Sequence, residues 1–188
     1  MFKTTIQTHE RGVLFKDGVP VRFLAPGAHR FFEFGSRYSL TVYDLDHGYA
    51  ELTPELASLM PAGFADELVI DHGEIALVHA DGRPKAFLVP GRYALFQARA
   101  HVTAIVKSTA DVVAAIPQAF WALAPATHLM TAVVASHERG MLYVDGKLAR
   151  VLAPGAYAFH KDDRTVSLLK VDIRERELAI VGQEVMTK

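Results

Sequence analysis

The sequence predicts a mainly β protein of three tandem antiparallel β-meander modules joined by short helices. Three observations carry that expectation: turn-forming dipeptides recur with a 64-residue period, short apolar runs flank them, and only two segments carry helical signals. Asp17-Gly18, Asp81-Gly82 and Asp145-Gly146 are spaced by 64 residues, and so are Pro26-Gly27, Pro90-Gly91 and Pro154-Gly155. Glu10, Glu74 and Glu138 keep the same period, and His9-Glu10-Arg11-Gly12 returns as His137-Glu138-Arg139-Gly140. The modules are accordingly 1–70, 71–135 and 136–188.

Each module opens with a hairpin. Asp-Gly between Val13-Leu14-Phe15 and Val19-Pro20-Val21-Arg22-Phe23 is the strongest short-range hairpin signal, because a two-residue type I′ loop needs positive φ at both central positions. The following x-Pro-Gly-x fits a type II turn, with Pro presetting φ and Gly supplying a positive value. Further strands run through Ala28–Phe32 and Tyr38–Leu45, with counterparts at Arg92–Phe96, Val102–Lys107, Ala156–Phe159 and Thr165–Ile173. That makes four strands per module. The Asp-Gly and Pro-Gly pairs are read as structural turns and not as ligands. The module aromatics, Phe32 and Phe96 among them, are read as core because β-propensity and burial already account for them.

The two connectors differ. Thr53-Pro54-Glu55 supplies an N-cap, a first-turn proline and a first-turn acid, starting a helix that Pro61 and Gly63 end. In the second connector Asp111 can cap a helix carrying Val112, Val113, Ile116, Phe120 and Leu123 on one face, although Pro117 interrupts it. The stretch 112–136 has no formal charge apart from His128, so a membrane-anchoring module is weighed there; two prolines, Gln118 and many alanines favour a connector packed on its neighbours. Phe120 and Trp121 are its boldest side chains, read either as core or as a candidate interface.

With 188 residues, 51% hydrophobic and 22% charged, the chain can fill a core without staples. A net charge of -1 gives no reason to expect nucleic acid, which requires a cationic face. Zero Cys removes thiol catalysis and Cys-ligated metal. The N-terminal MFKTTIQTHERG lacks a signal-peptide core, so a cytoplasmic location, peripheral to a membrane at most, is expected. No zinc-protease, nucleophile-elbow, Walker or dinucleotide motif is present, so no catalytic residue, cofactor or metal ligand is assigned. The competing enzyme reading is a metal-dependent hydrolase in which His9, Glu10, His72, Glu74, His137 and Glu138 converge. His29, His79, His101, His128 and His160 share no module position and are read as scattered surface or half-buried residues. Exposed strand edges in the first and last modules leave a route to weak pairing, limited by Arg164, Lys170 and Arg174.

The third module carries a resemblance. His137-Glu138-Arg139-Gly140-Met141-Leu142-Tyr143, then Leu152-Ala153-Pro154-Gly155, Lys170-Val171-Asp172-Ile173-Arg174 and Gly182-Gln183-Glu184-Val185-Met186-Thr187-Lys188 resemble, in order and spacing, the opening of the stomatin/prohibitin (SPFH, band 7) domain. The whole chain is similar to bacterial slipin-type members, in which copies of the E-R-G…D-G…P-G module precede that domain. Gly182 stands where stomatins usually have Pro, and the family's domain continues beyond the equivalent of Thr187-Lys188. The resemblance implies a non-enzymatic, membrane-associated scaffold, with protein partners such as a membrane protease. It also implies assembly elements downstream of Lys188, so that this chain by itself is mostly monomeric or weakly associated.

Overall fold

A computed structural model describes residues 1–32, 35–97 and 99–174. The first module contains β1 (Phe2–Ile6), β2 (Glu10–Lys16), β3 (Val19–Leu24), β4 (Gly27–Phe31) and β5 (Tyr38–Asp44). A 3₁₀ turn at Leu45–His47, β6 (Tyr49–Glu51) and α1 (Pro54–Leu59) connect it to the second module, which contains β7 (Ala65–Ile70), β8 (Glu74–Ala80), β9 (Arg83–Leu88), β10 (Gly91–Phe96) and β11 (Val102–Ser108). After a 3₁₀ turn at Gln118–Leu123 come β12 (Leu129–Val134), β13 (Glu138–Val144), β14 (Lys147–Leu152), β15 (Gly155–His160) and β16 (Val166–Asp172). All pairings are antiparallel, and the mainly β class with three modules and short helical connectors holds.

The registers repeat with the sequence. Gly12 lies opposite Leu24 and Val42, Ala76 opposite Leu88 and Val106, and Gly140 opposite Leu152 and Lys170. Even the hairpin irregularity recurs, at Leu14/Phe15, Val78/His79 and Leu142/Tyr143. Each module gains a fifth strand that the sequence reading left out. β1 pairs with β4, β7 with β10 and β12 with β15, so the fourth strand crosses to the leading strand. Pairing therefore draws 65–70 into the second module and 129–134 into the third. The connectors add strands too: Tyr49 pairs with Leu95, and Val113 bridges Phe159 one period later.

Each module buries one face of its hairpin sheet against the sheet that pairs its leading and fourth strands, which is two-stranded in the first and third modules and three-stranded in the second, where β6 joins β10. In the first, Leu14 and Leu24 meet Ile6, with Phe2, Phe31 and Leu40 around them. A small residue is needed where β2 crosses the sandwich. A Cβ on Gly12 would lie 2.9 Å from Leu40 Cδ1, and one on Gly140 would lie 3.0 Å from Leu168 Cδ1. The second module has Ala76 there, and the leucine's counterpart shrinks to Ala104, so the two positions exchange volume.

The first helix forms as its signals dictate: Thr53 Oγ1 accepts from Leu56 N at 3.3 Å, and Pro54 fills the first position. The second connector does not form the helix expected over 112–123. Asp111 Oδ1 accepts from Val113 N at 3.0 Å, closing a local turn, and residues 112–114 run extended beside β15. β-branched Val112 and Val113 fit that pairing, while Pro117 restricts helix to the six-residue 3₁₀ turn. Among the described residues no helix is long and apolar enough to cross a membrane.

The chain divides into two compact units: Met1–Ala110 with Pro117–Pro125, and Asp111–Ile116 with Ala126–Lys188. In the first unit, Val13 and Leu45 share a core with Leu52 and Leu56 of the connector and with Ala94 and Phe96 of β10. Phe64 seals this core, edge-on to Phe23 with ring centroids 5.2 Å apart, with the Arg11 guanidinium over its outer side.

Candidate functional site

The polar residues that recur every 64 positions close turns. Asp17, Asp81 and Asp145 sit at φ 53°, 49° and 50°, and the following Gly18, Gly82 and Gly146 at 83°, 75° and 77°, the backbone a type I′ tip demands. Each aspartate also ties its hairpin to the last strand of the module. Asp17 Oδ1 accepts from Arg37 N at 2.7 Å, Asp81 Oδ1 from His101 N at 2.9 Å and Asp145 Oδ1 from Thr165 N at 2.8 Å. The backbone N–H of each aspartate donates back to the same residue's carbonyl. Asp is used because it tolerates left-handed backbone and carries an acceptor on a short stem.

The module-start glutamates have an equally local task. Glu10 Oε2 accepts from Gln7 N, Glu74 Oε2 from Asp71 N and Glu138 Oε2 from Ala135 N, while each glutamate N–H donates to the carbonyl three residues back. His9 and His137 contribute carbonyls to Leu45 N and Ile173 N. Among the described residues no group of three or more His, Asp or Glu is placed to hold a metal ion, so the convergence required by the hydrolase reading does not occur there.

The Pro-Gly bends depart from the expected type II turn. Gly27, Gly91 and Gly155 have φ of 136°, 157° and 157°, well past the type II value, and each opens the next strand. The bend at Pro26, Pro90 and Pro154 is clamped by a side chain instead. Tyr93 Oη donates to Val89 O at 3.1 Å, Tyr157 Oη to Ala153 O at 2.9 Å, and the His29 Nε2–H to Ala25 O at 2.8 Å. The tyrosine rings lie where a Cβ on Gly91 or Gly155 would fall, about 3.3 Å away. Glycine therefore serves close approach here as well as conformation.

Phe120, read either as core or as a candidate interface, lies in the core. It is 1% exposed and its ring stands edge-on to His79 with centroids 5.0 Å apart, so the Gln118–Leu123 turn plugs onto the second module's hairpin. Trp121 beside it is half-buried. Phe32, expected in the core, is 67% exposed, whereas its counterparts Phe96 and His160 are buried. His160 was read as surface or half-buried; the period places it at the Phe96 position, and that signal could have found it. Among the described residues its Nδ1 has no hydrogen-bond partner, and burial pushes the imidazole below the usual histidine range, opposed by Asp162 and assisted by Arg164.

The site-like feature missed in the sequence is an apolar face. On the outer side of the β14–β13–β16 sheet, Met141 is flanked by Val151 and Leu169, and Tyr143 by Leu148. Val151 is 60% exposed, Leu169 53% and Leu148 50%. Such a contiguous row marks an interaction surface more often than a lone exposed apolar residue does. Of the stomatin-like motif, Glu138 to Tyr143 lie on β13, and Lys170 to Asp172 lie on β16, with Arg174 paired to the Asp172 carboxylate. The Gly182–Lys188 portion lies outside the described residues. No protein-family model, curated protein or solved structure matches this chain.

Proposed function

We propose that the chain is a non-enzymatic, protein-binding region of a slipin/stomatin-like membrane-associated scaffold, peripheral to the membrane on its cytoplasmic side. The observation that supports this reading is the division of labour among its residues: the repeated Asp and Glu side chains close turns, while the apolar row around Met141 faces outward. An enzyme concentrates polar groups in a pocket, whereas a binding module presents apolar surface rimmed by polar residues. The resemblance of 137–174 to the opening of the SPFH domain supplies the class of scaffold, and the class supplies the partner, an integral membrane protein such as a protease.

Affinity purification of the tagged chain from the cells that produce it, after mild crosslinking, tests the reading. Stoichiometric recovery of an integral membrane protein, reduced by Leu169→Asp, is the expected result. Recovery of none, together with one equivalent of zinc by elemental analysis and hydrolytic activity, contradicts it and favours the hydrolase.

A further inference from the structure

Buried polar atoms that make no hydrogen bond gather at one place in the second unit. Among the described residues they are His128 Nδ1, His160 Nδ1 and Asp162 Oδ2. His128 precedes β12 and its carbonyl accepts from Lys161 N at 2.9 Å, while His160 ends β15, opposite Leu129. Asp162 follows in the turn that Arg164 N closes on Lys161 O, and its Oδ1 lies 3.5 Å from His128 Nδ1. That separation is long for a neutral hydrogen bond and suits an ion pair with a charged imidazole. Asp162 also has φ 37°, the one positive value among the described residues outside glycine and the Asp-Gly tips. Backbone held in that region collects at functional positions.

The repeat indicates what packing by itself would place there. Phe64 and Phe96 hold these two positions one period earlier, with ring centroids 5.8 Å apart in an apolar core. In the last module both phenylalanines are histidines, beside a carboxylate. Exchanging an aromatic pair for desolvated titratable groups without full hydrogen bonding weakens a core, so a stabilising role does not account for the change. The charged groups facing His160 are Asp162 and Arg164 from its own turn and Asp111 from the segment beside β15, where His160 N donates to Val112 O. Asp111 is in turn 3.6 Å from Arg150 of β14, and Lys161 Nζ donates to the Ala126 carbonyl. Burial holds the His160 ring below the usual histidine range, with Asp162 and Asp111 opposing it and Arg164 assisting.

We propose that His128, Asp162 and His160 form a two-step proton latch on the 161–164 turn: one proton, on His128, closes the turn onto the start of β12, and a second, on His160, releases it. The Asp162 carboxylate stands beside His128 only while the turn is closed. The closed form therefore binds the first proton more tightly than the open form, and falling pH closes the turn. Opening the turn returns water to His160, so the open form binds the second proton more tightly and further acid releases the turn. His160 is 2% exposed and His128 only partly buried, which sets the order of the two steps. Thr165, whose N–H ties the hairpin tip through Asp145 Oδ1, follows this turn directly, so release loosens the tip as well. None of these contacts involves the outward row around Met141, and the latch operates whether or not the chain serves as a scaffold.

Imidazole and amide nuclear magnetic resonance on the whole chain between about pH 8 and about pH 5 tests it. The Lys161 amide, bonded to the His128 carbonyl, is expected to show protection from exchange that first rises and then falls as pH drops. The rise should track the His128 resonances and the fall those of His160. Asp162→Asn keeps the side-chain shape and tolerates left-handed backbone, and is expected to remove the rise. His160→Phe, the residue of position 96, is expected to remove the fall. The β2 amides of the first unit should keep their protection throughout, which separates local release from global unfolding. Lys161 protection without a maximum, a rise that survives Asp162→Asn, a fall that survives His160→Phe, or a fall matched by the β2 amides would each overturn the proposal.

Discussion

Gly82 shows how much of this fold rests on single backbone positions. Its φ is 75° and no atom lies within 4 Å of where a Cβ would stand, so a side chain there costs backbone strain alone. Gly82→Val is therefore expected to destabilise by about 1–3 kcal/mol, read from the chemical-denaturation midpoint. An unchanged midpoint would mean the tip is not held in type I′ geometry. His160 gives a residue-scale dependence on pH. Its native pKa lies below the unfolded value of 6.5 because burial disfavours the charged ring. Above that value neither state is protonated and this residue contributes no pH slope. As pH falls below it, the unfolded chain takes up a proton that the native state resists, so stability declines until the native ring protonates too. His160→Phe, which installs the residue found at position 96, removes that component. The difference in thermal midpoint between about pH 8 and about pH 5.5 is expected to be smaller in the variant than in the wild type. An equal difference would place the acid sensitivity elsewhere.

Elements in this chain are specified by pairing partners as much as by their own sequences. α1 was legible because Thr53 and Pro54 act locally, and the Asp-Gly hairpins for the same reason. The 112–116 segment was misread because apolar residues ahead of a proline suit a helix face and a strand alike; its bridge to Phe159 decides the matter, and that partner lies 46 residues away. β1, β7 and β12 were missed because they carry no turn signal of their own and become strands by pairing with β4, β10 and β15. Phe120 plugs the second module's hairpin. Phe120→Ala is expected to cost about 3–5 kcal/mol in an equilibrium melt, and Trp121→Ala markedly less. Equal, small effects would contradict the placement of Phe120 in the core. The sandwich crossing offers a further test. Gly140→Ala forces its Cβ against Leu168 and is expected to cost about 1–3 kcal/mol. Adding Leu168→Ala, which reproduces the Ala76–Ala104 pair, should cost less than the two single changes combined, by about 1 kcal/mol in a double-mutant cycle. Additivity would show that the two positions do not exchange volume.

At the scale of the molecule, the period was visible because the turn chemistry that carries it tolerates few residues, and the three copies stayed in step without insertions. What the period could not reveal from sequence was which faces the connectors cover. Val13 and Met141 are equivalent in sequence and differ in burial, because α1 and β10 follow one and no described element covers the other. The candidate interface was sought in Phe120 and Trp121, where hydrophobicity is densest, yet dense hydrophobicity in a connector signals a plug. The outward row on β13, β14 and β16 was hidden because its residues look like ordinary strand residues until a register assigns them to one side. The central claim is that one five-stranded module is built three times with one register. Cross-strand nuclear Overhauser contacts in the isotopically labelled chain test it most directly. The account predicts the same pattern in each module, pairing Gly12 with Val42, Ala76 with Val106 and Gly140 with Lys170; a missing set, or one displaced by a single residue, would contradict it.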